Sequence, residues 1–396
     1  MNKIKDTFHW GYTRFIKFFG NVPSLFIRLF YPIRKGRVIL WSYDFKQYSC
    51  NPRYLSEYIL ENYPDFEIIW AFKKKVNTDD IDKRIKCVKY PTWEYKKAMN
   101  TAEFLITNCR TDPYRYYWWK RAKQKYIMLW HGGVALKKIE KDAADKLSYF
   151  YNTKAKIDSK ACSLMVSGCN FQTHLLKNSF WYNGEVLEKG TPRCDIFFKK
   201  EAHRDMNRKI REMYNIPSDN KLVLYAPTFR RNKSLAPYSI DWSTAIPEIS
   251  NLFDSRPVTV LLRLHPNMLH VDTTPLLNHP EVIDVTKYHD MQELLCVSDM
   301  LITDYSSSMF DVSMLGTPCI LYASDSKEYD RGYYFDLSEL PYPLAQNQQE
   351  LIEILRNFDI KKYRSDVEYF EKNKIGMFED GNASKNIAQW MIEHKL

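Results

Sequence analysis

Two histidines stand where apolar runs stop, His131 in "KYIMLWHGG" and His265 in "VTVLLRLHP". Other polar groups gather at similar places. Thr228, Arg230 and Arg231 follow "KLVLYAP", Arg263 comes two residues before His265, and Asp304 with Ser306, Ser307 and Ser308 follows "DMLIT". Arginine is permanently charged and can hold phosphate oxygens bidentately. A histidine can take a proton from a hydroxyl near neutral pH, and a second can donate a hydrogen bond to a departing phosphate. Hydroxyls at the first turn of a helix, beside amides without partners, suit an anion. Together these groups describe transfer from a nucleoside-diphosphate compound to an alcohol. Each has a plainer explanation when taken alone. A single serine there is an ordinary N-cap, and a lone strand-end histidine is more often structural. Two histidines, one with an arginine two residues before it, and three serines beside an aspartate shift the balance toward a site.

The elements that must position these groups alternate. "RVILWS", "FEIIWAF", "RIKCVKY", "EFLITN", "KYIMLWHGG", "CSLMVSG" and "GEVLEKG" read as strands, with helical stretches such as "NPRYLSEYILENY" and "TWEYKKAMNTA" between them. After a polar helical stretch, Glu201 to Tyr214, the rhythm restarts with "KLVLYAPTF", "VTVLLRLHP", "EVIDVT", "DMLITDYS" and "CILYASD". Met309, Phe310, Val312, Met314 and Leu315 fit a helix that Gly316 and Pro318 end. Alternation of this kind predicts doubly wound parallel sheets in two α/β domains that meet at a cleft. Ligands then bind beyond the carboxyl ends of the strands, where the residues above fall. The expected divisions are a segment 1–35, a first domain 36–200, and a second domain 201–396 that ends in helices.

The chain has 396 residues, is 45% hydrophobic and 27% charged, and carries a net charge of +10. It is therefore globular and suited to an anionic partner. Nucleic-acid binding is disfavoured, because the basic residues are spread out and no recognition motif appears. The eight cysteines form no CxxC pair and several lie in apolar runs. They read as free thiols in a reducing compartment. No plausible carboxylate pair stands at a strand end, so the expected site has no metal and no cofactor; "TDDID", at Thr78 to Asp82, is a polar loop. No run of 18 apolar residues exists. The stretch "FHWGYTRFIKFFGNVPSLFIRLFYPIRKGR" interleaves aromatics with Arg14, Lys17, Arg28, Arg34, Lys35 and Arg37. That composition suits an anionic membrane interface; packing on its own domain is the alternative.

The ordered set "LWHGG…LKK", "GTPRCD", "YAPTFR", "LLRLHP" and "ITDYSSSMFD" resembles the motifs of the CDP-glycerol glycerophosphotransferases of teichoic acid synthesis. "NPRYLSEYILENYPDFEIIW", "YDRGYYFD" and "EDGNASKNI" extend the resemblance over roughly residues 37–390. It implies a GT-B fold, CDP-glycerol as donor, a polyprenyl-linked saccharide acceptor, a place on the cytoplasmic face of the membrane, and no metal requirement. By motif, His131 becomes the base and His265 the stabiliser of the donor pyrophosphate. Thr228, Arg230, Arg263, Asp304, Ser306 and Ser307 fall on the donor side; Gly132, Gly133 and Lys137 fall on the acceptor side. Many members carry "WHGTPLK" where this chain has "WHGGVALK". Ribitol phosphate enzymes share the motifs, and a GT-B glycosyltransferase using a nucleotide sugar would share the fold.

Overall fold

The computed structural model describes residues 21–112, 120–230, 234–268, 270–325 and 332–396. Arg14, Lys17 and Arg231 lie outside the described residues, as does part of "YDRGYYFD". The first sheet contains β1 (Arg34–Trp41), β2 (Glu67–Lys73), β3 (Lys86–Tyr90), β4 (Ala102–Thr107), β5 (Lys125–Met128), β6 (Leu164–Ser167) and β7 (Glu185–Glu188). Its order is β3-β2-β1-β4-β5-β6-β7, and every pairing is parallel. The second sheet contains β8 (Lys221–Tyr225), β9 (Val258–Leu262), β10 (Val282–Asp284), β11 (Met300–Thr303), β12 (Cys319–Tyr322) and β13 (Leu344–Ala345). Its order is β10-β9-β8-β11-β12-β13, again all parallel. These are the two doubly wound Rossmann-like domains expected.

Both faces of each sheet are covered, which is why the strands read as near-continuous apolar runs. In β1, Val38 and Leu40 enter one core layer, while Ile39 and Trp41 enter the other. In β11, Met300 and Ile302 face one layer and Leu301 the opposite one. Strand order reverses between β1 and β4 and between β8 and β11. The chain connections diverge at those two points and leave crevices at the carboxyl ends.

Two expectations change, and one short strand, β13, goes beyond them. The expected second domain, 201–396, holds the second sheet, but its last helix, Ala383–Glu393, returns to the first domain. Ile387, Ala388, Trp390 and Met391 are buried there with the residues of β1 and β2. The helix after β11 runs only over Ser308–Ser313, and Gly316 (φ +64) follows it in a left-handed turn. β13 spans two residues, too few to show a period.

The described part of the N-terminal segment contains a helix, Val22–Phe30. Ser24 and Ile27 are buried, and the helix packs on Trp93–Thr101. Arg121 donates to the Arg28 and Tyr31 carbonyls, which ties the helix down. Val22, Leu25, Phe26, Leu29 and Phe30 face outward, with Leu29 80% exposed. The helix is thus docked by one narrow edge and presents its apolar side to solvent. Among the described residues no helix is long and apolar enough to cross a membrane.

Candidate active site

The two switch points meet face to face. After β5 the chain turns through Trp130, a non-glycine residue at φ +52. A left-handed backbone at such a residue costs of the order of 1 kcal/mol or more and must be held by its surroundings. Asn51 donates to the Leu129 and Trp130 carbonyls at 3.0 and 2.9 Å. The Trp130 ring packs edge-on against Phe180 and lies 4.3 Å from the His131 ring. Below it, buried Arg110 is paired with Glu140 at 2.6 Å and Asp158 at 2.9 Å. His131 is thereby set on a rigid base at the entrance of the first crevice.

The protonation geometry of the two histidines is complementary. Nδ1 of His131 lies 2.9 Å from the Asn108 carbonyl oxygen at the end of β4. A carbonyl only accepts, so Nδ1 carries the hydrogen and Nε2 keeps a free lone pair. Burial lowers the His131 pKa below its ordinary value, and Arg193 lowers it further. The Asn108 carbonyl and Glu140 partly oppose this. At His265 the pattern is reversed: the Asn267 backbone N–H donates to Nδ1 at 3.1 Å. In the neutral ring Nε2 then carries the hydrogen and is a donor. Although the His265 side chain keeps solvent exposure, its surroundings and the cations Arg263, Lys46 and Lys137 hold its pKa down at about 4. Near pH 7 the pair therefore offers one proton acceptor and one hydrogen-bond donor.

The serine turn lies opposite His131. A Cβ placed on Gly132 would sit 3.7 Å from Ser307 Oγ, so the "WHGG" and "SSS" turns are in contact. Ser307 holds the N-cap position, yet its side chain makes no capping bond. Its hydroxyl is not used in the plainer way. Ser306 Oγ accepts from the Ser308 hydroxyl at 2.9 Å. With six residues, the helix Ser308–Ser313 contributes little macrodipole. The hydroxyls and the surrounding cations carry more of any anion binding than the helix end does. Gly133 lies near Gln172, and a Cβ there would be 4.0 Å from its side-chain oxygen.

Thr228, Arg230 and Asp304 come together, but as a closed clamp between β8 and β11. Asp304 accepts from the Thr228 N–H at 2.9 Å and from Arg230 at 2.8 Å. Arg230 is bound on its other side by Asp325 at 2.6 Å. Burial works against the Arg230 charge, yet the two carboxylates outweigh it and raise the pKa. Thr228 and Arg230 are held by carboxylates in this arrangement, and the three residues shape the floor of the site. Arg263 differs. Its Nε is buried without a partner, its other contacts are Met291 Sδ and the Tyr288 carbonyl, and no carboxylate lies within ion-pair distance among the described residues. Burial pulls its pKa below the ordinary value, as expected for a cation lacking its anion. Lys137, assigned by motif to the acceptor side, lies over the Tyr305 ring of the second domain at 5.6 Å and acts on His265. It therefore sits against the second domain, beside Tyr305 and Tyr333.

Sequence reading missed Arg193. Its guanidinium donates to the His131 carbonyl at 2.6 Å and pairs with Asp311 at 2.7 Å, so it joins the base-bearing turn to the second domain. "GTPRCD" was the signal, but nothing local showed what the arginine would meet. "TDDID" is a surface loop that buries only Ile81, and in it Asp82 pairs with Arg84. Among the described residues, no three His, Cys, Asp or Glu side chains group as metal ligands do.

The profile of the CDP-glycerol:poly(glycerophosphate) glycerophosphotransferases matches residues 24–393. The chain belongs to this family. It is similar to a "Teichoic acid glycerol-phosphate transferase" of Staphylococcus aureus (strain NCTC 8325 / PS 47), 32% identical over 411 aligned positions and 99% of each chain. It is 30% identical to a "Teichoic acid poly(glycerol phosphate) polymerase" of Bacillus subtilis (strain 168), covering 91% of this chain and 49% of that one. The chain thus spans about half the length of that relative and of a second such polymerase, from Staphylococcus epidermidis. A solved structure of the wall teichoic acid polymerase TagF superposes with a TM-score of 0.79 at 28% identity, covering 96% of this chain and 97% of that chain. A variant of TagF soaked with CDPG gives 0.78. The family's two-domain GT-B-like architecture is the one seen here.

Proposed function

We propose that this chain transfers glycerol phosphate from CDP-glycerol to a hydroxyl of a polyprenyl-linked saccharide acceptor. The observation that carries the reading is the opposite tautomers of His131 and His265 across one cation-lined cleft. The acceptor oxygen attacks the β-phosphorus of the donor. Its proton passes to Nε2 of His131, the new P–O bond forms, and the bond from the β-phosphorus to the bridging oxygen breaks. CMP leaves with that electron pair, and Nε2–H of His265 donates a hydrogen bond to its phosphate. Arg263, Lys137, Ser306 and Ser307 surround the diphosphate. Glycerol is favoured over ribitol by the higher identity to the glycerol-phosphate transferase, 32% against 26% to a ribitol-phosphate primase of Bacillus spizizenii matched over a similar length.

The test is a donor panel of CDP-glycerol, CDP-ribitol and a UDP-sugar, with label transfer to lipid-linked acceptors measured in EDTA. CDP-glycerol should be used at least tenfold better than either alternative. Equal or better use of the UDP-sugar would defeat the reading. Replacing Ser306 and Ser307 together by alanine should weaken CDP-glycerol binding by ~1–3 kcal/mol, since backbone amides remain. Unchanged affinity in calorimetry would leave the serines without a donor role.

The enzyme works at the cytoplasmic membrane surface in this reading. The outward apolar side of Val22–Phe30 supports it, with Arg34 and Lys35 exposed just beyond. Such a helix enters the interface by its apolar face while cations meet anionic headgroups. Because β1 begins at Arg34, truncation to residue 35 would cut a strand. A substitution is cleaner: Phe26→Ser, Leu29→Ser and Phe30→Ser combined should abolish co-sedimentation with anionic vesicles and leave the melting temperature within a few degrees. Full sedimentation of that variant would rule this helix out as the anchor.

A further inference from the structure

Three successive carbonyls of the base-bearing turn are held by buried side chains. The Trp130 carbonyl accepts from Asn51 at 2.9 Å, the His131 carbonyl from Arg193 at 2.6 Å and the Gly132 carbonyl from Gln172 at 3.2 Å. All three donors are buried. Two of them are fixed in turn: Asn51 Oδ1 accepts from the Arg193 N–H at 2.8 Å, and Gln172 Oε1 accepts from the Gly168 N–H at 2.9 Å. The peptide bonds of this turn are trans, so each N–H points opposite to the carbonyl of its own peptide unit. The N–H groups of His131, Gly132 and Gly133 therefore face away from the three buried donors. None of the three donates to a protein group among the described residues. Trp130, at φ +52, is followed by His131 outside the left-handed region. That change of hand turns successive N–H groups toward one side, as in the concave anion sites built from backbone alone.

The two glycines give a second, independent observation. Neither Gly132 nor Gly133 lies in the left-handed region, so backbone conformation does not require glycine at either place. Crowding does not require it either. The nearest atom to a Cβ on Gly132 would be Ser307 Oγ at 3.7 Å, and on Gly133 the Gln172 side-chain oxygen at 4.0 Å, both ordinary contacts. Adjacent glycines that the fold itself does not need fit a place where a ligand approaches the backbone closely. Both are partly exposed. They follow His131 directly and lie across from Ser307, whose hydroxyl caps nothing.

We propose that the backbone N–H groups of His131, Gly132 and Gly133 bind the non-bridging oxygens of the phosphoryl group that is transferred. This rests on the transfer reading above. There, Nε2 of His131 takes the proton of the oxygen that bonds to the β-phosphorus, so the phosphoryl group passes one atom away from the base and beside the N–H groups that follow it. Donors fixed by buried partners need no reorganisation as charge redistributes over those oxygens. Base and oxyanion donors then come from a single turn, and Asn51, Arg193 and Gln172 hold both in place.

The probe is orthovanadate with CMP, which together give a five-coordinate vanadium group that copies the phosphoryl group in flight. The full chain, labelled with ¹⁵N at its 12 glycines, is titrated while the glycine amide resonances are followed. Gly132 and Gly133 should shift downfield and saturate when both components are present, and CMP alone should move them less. The Gly36 amide, bonded to Glu103 at the amino end of β1, should stay in place. Gly132 and Gly133 resonances that vanadate and CMP leave unmoved overturn the proposal. Gly132→Ala and Gly133→Ala should each keep the melting temperature within a few degrees. Each should lower kcat by ~10²-fold, the effect of losing one oxyanion donor, with the CDP-glycerol dissociation constant within about fivefold of wild type. Turnover near wild type in both variants also overturns the proposal, and the wild-type titration decides whether or not the variants fold. Saturable vanadate-dependent shifts at Gly132 and Gly133 in a chain that uses no CDP-polyol overturn the transfer reading and leave the anion site standing.

Discussion

His131→Ala should lower kcat by ~10²–10⁴ and leave the affinity for CDP-glycerol within a few-fold of wild type. The Nε2 lone pair exists because Asn108 holds Nδ1–H at 2.9 Å. His131→Asn can keep a bond to that carbonyl but has no group able to take the proton, so it should be as slow as alanine. The pH profile follows from the lowered pKa of His131. A base must be neutral to act. The rising limb of kcat/KM should therefore lie below the ordinary histidine value near ~6.5, with a plateau above it. The same depression affects stability. The neutral ring is favoured by the fold, so its contribution is present above ~6.5 and is lost as pH falls through the folded pKa. A His131→Ala protein with turnover near wild type would remove this residue from the mechanism.

Arg193→Ala should lower stability by ~3–5 kcal/mol, because it leaves Asp311 as an uncompensated buried charge. Arg193 is 4% exposed and Asp311 3%, and the pair joins the two domains. Burial raises the Asp311 pKa, with Arg193 opposing, so removal of Arg193 should drive that carboxyl toward protonation. Changing both residues, Arg193→Met with Asp311→Leu, should recover much of the loss, since neither charge is then stranded. Denaturant unfolding of the two singles and the double decides it. Equal loss in the double and in Arg193→Ala, or a single costing under ~1 kcal/mol, would contradict the role given to this pair. The double should remain slow in turnover, because the His131 carbonyl loses its guanidinium either way.

The sheets were legible because their strands are buried on both faces and read as apolar runs between helices. The strand-end rule brought His131, His265, Arg263 and the serine turn together from separate stretches of the chain. It was not applied to β1, whose end, "SYDFKQYS", looks like a polar connection without a motif. Tyr43, whose ring lies 5.9 Å from that of His131, went unnoticed for that reason. Arg230 and Asp304 were recognised as polar groups at strand ends, but that they pair with each other depends on register between β8 and β11. The return of Ala383–Glu393 to the first domain could not be read locally, since an amphipathic helix shows that it is covered and not by what. Glu379 belongs to the same crossing. Its carboxylate accepts from the Thr191 N–H and hydroxyl, and burial pushes its pKa up to about 7.

The central claim is that the bond broken is the one between the β-phosphorus and CMP, and the released nucleotide reports it directly. Incubation of the enzyme with CDP-glycerol and a lipid-linked acceptor should yield CMP in a one-to-one ratio with glycerol phosphate joined to the acceptor, and His131→Ala should slow both together. Release of CDP, with glycerol joined to the acceptor without phosphate, would mean that a carbon–oxygen bond is cleaved as in glycosyl transfer, and would contradict the account.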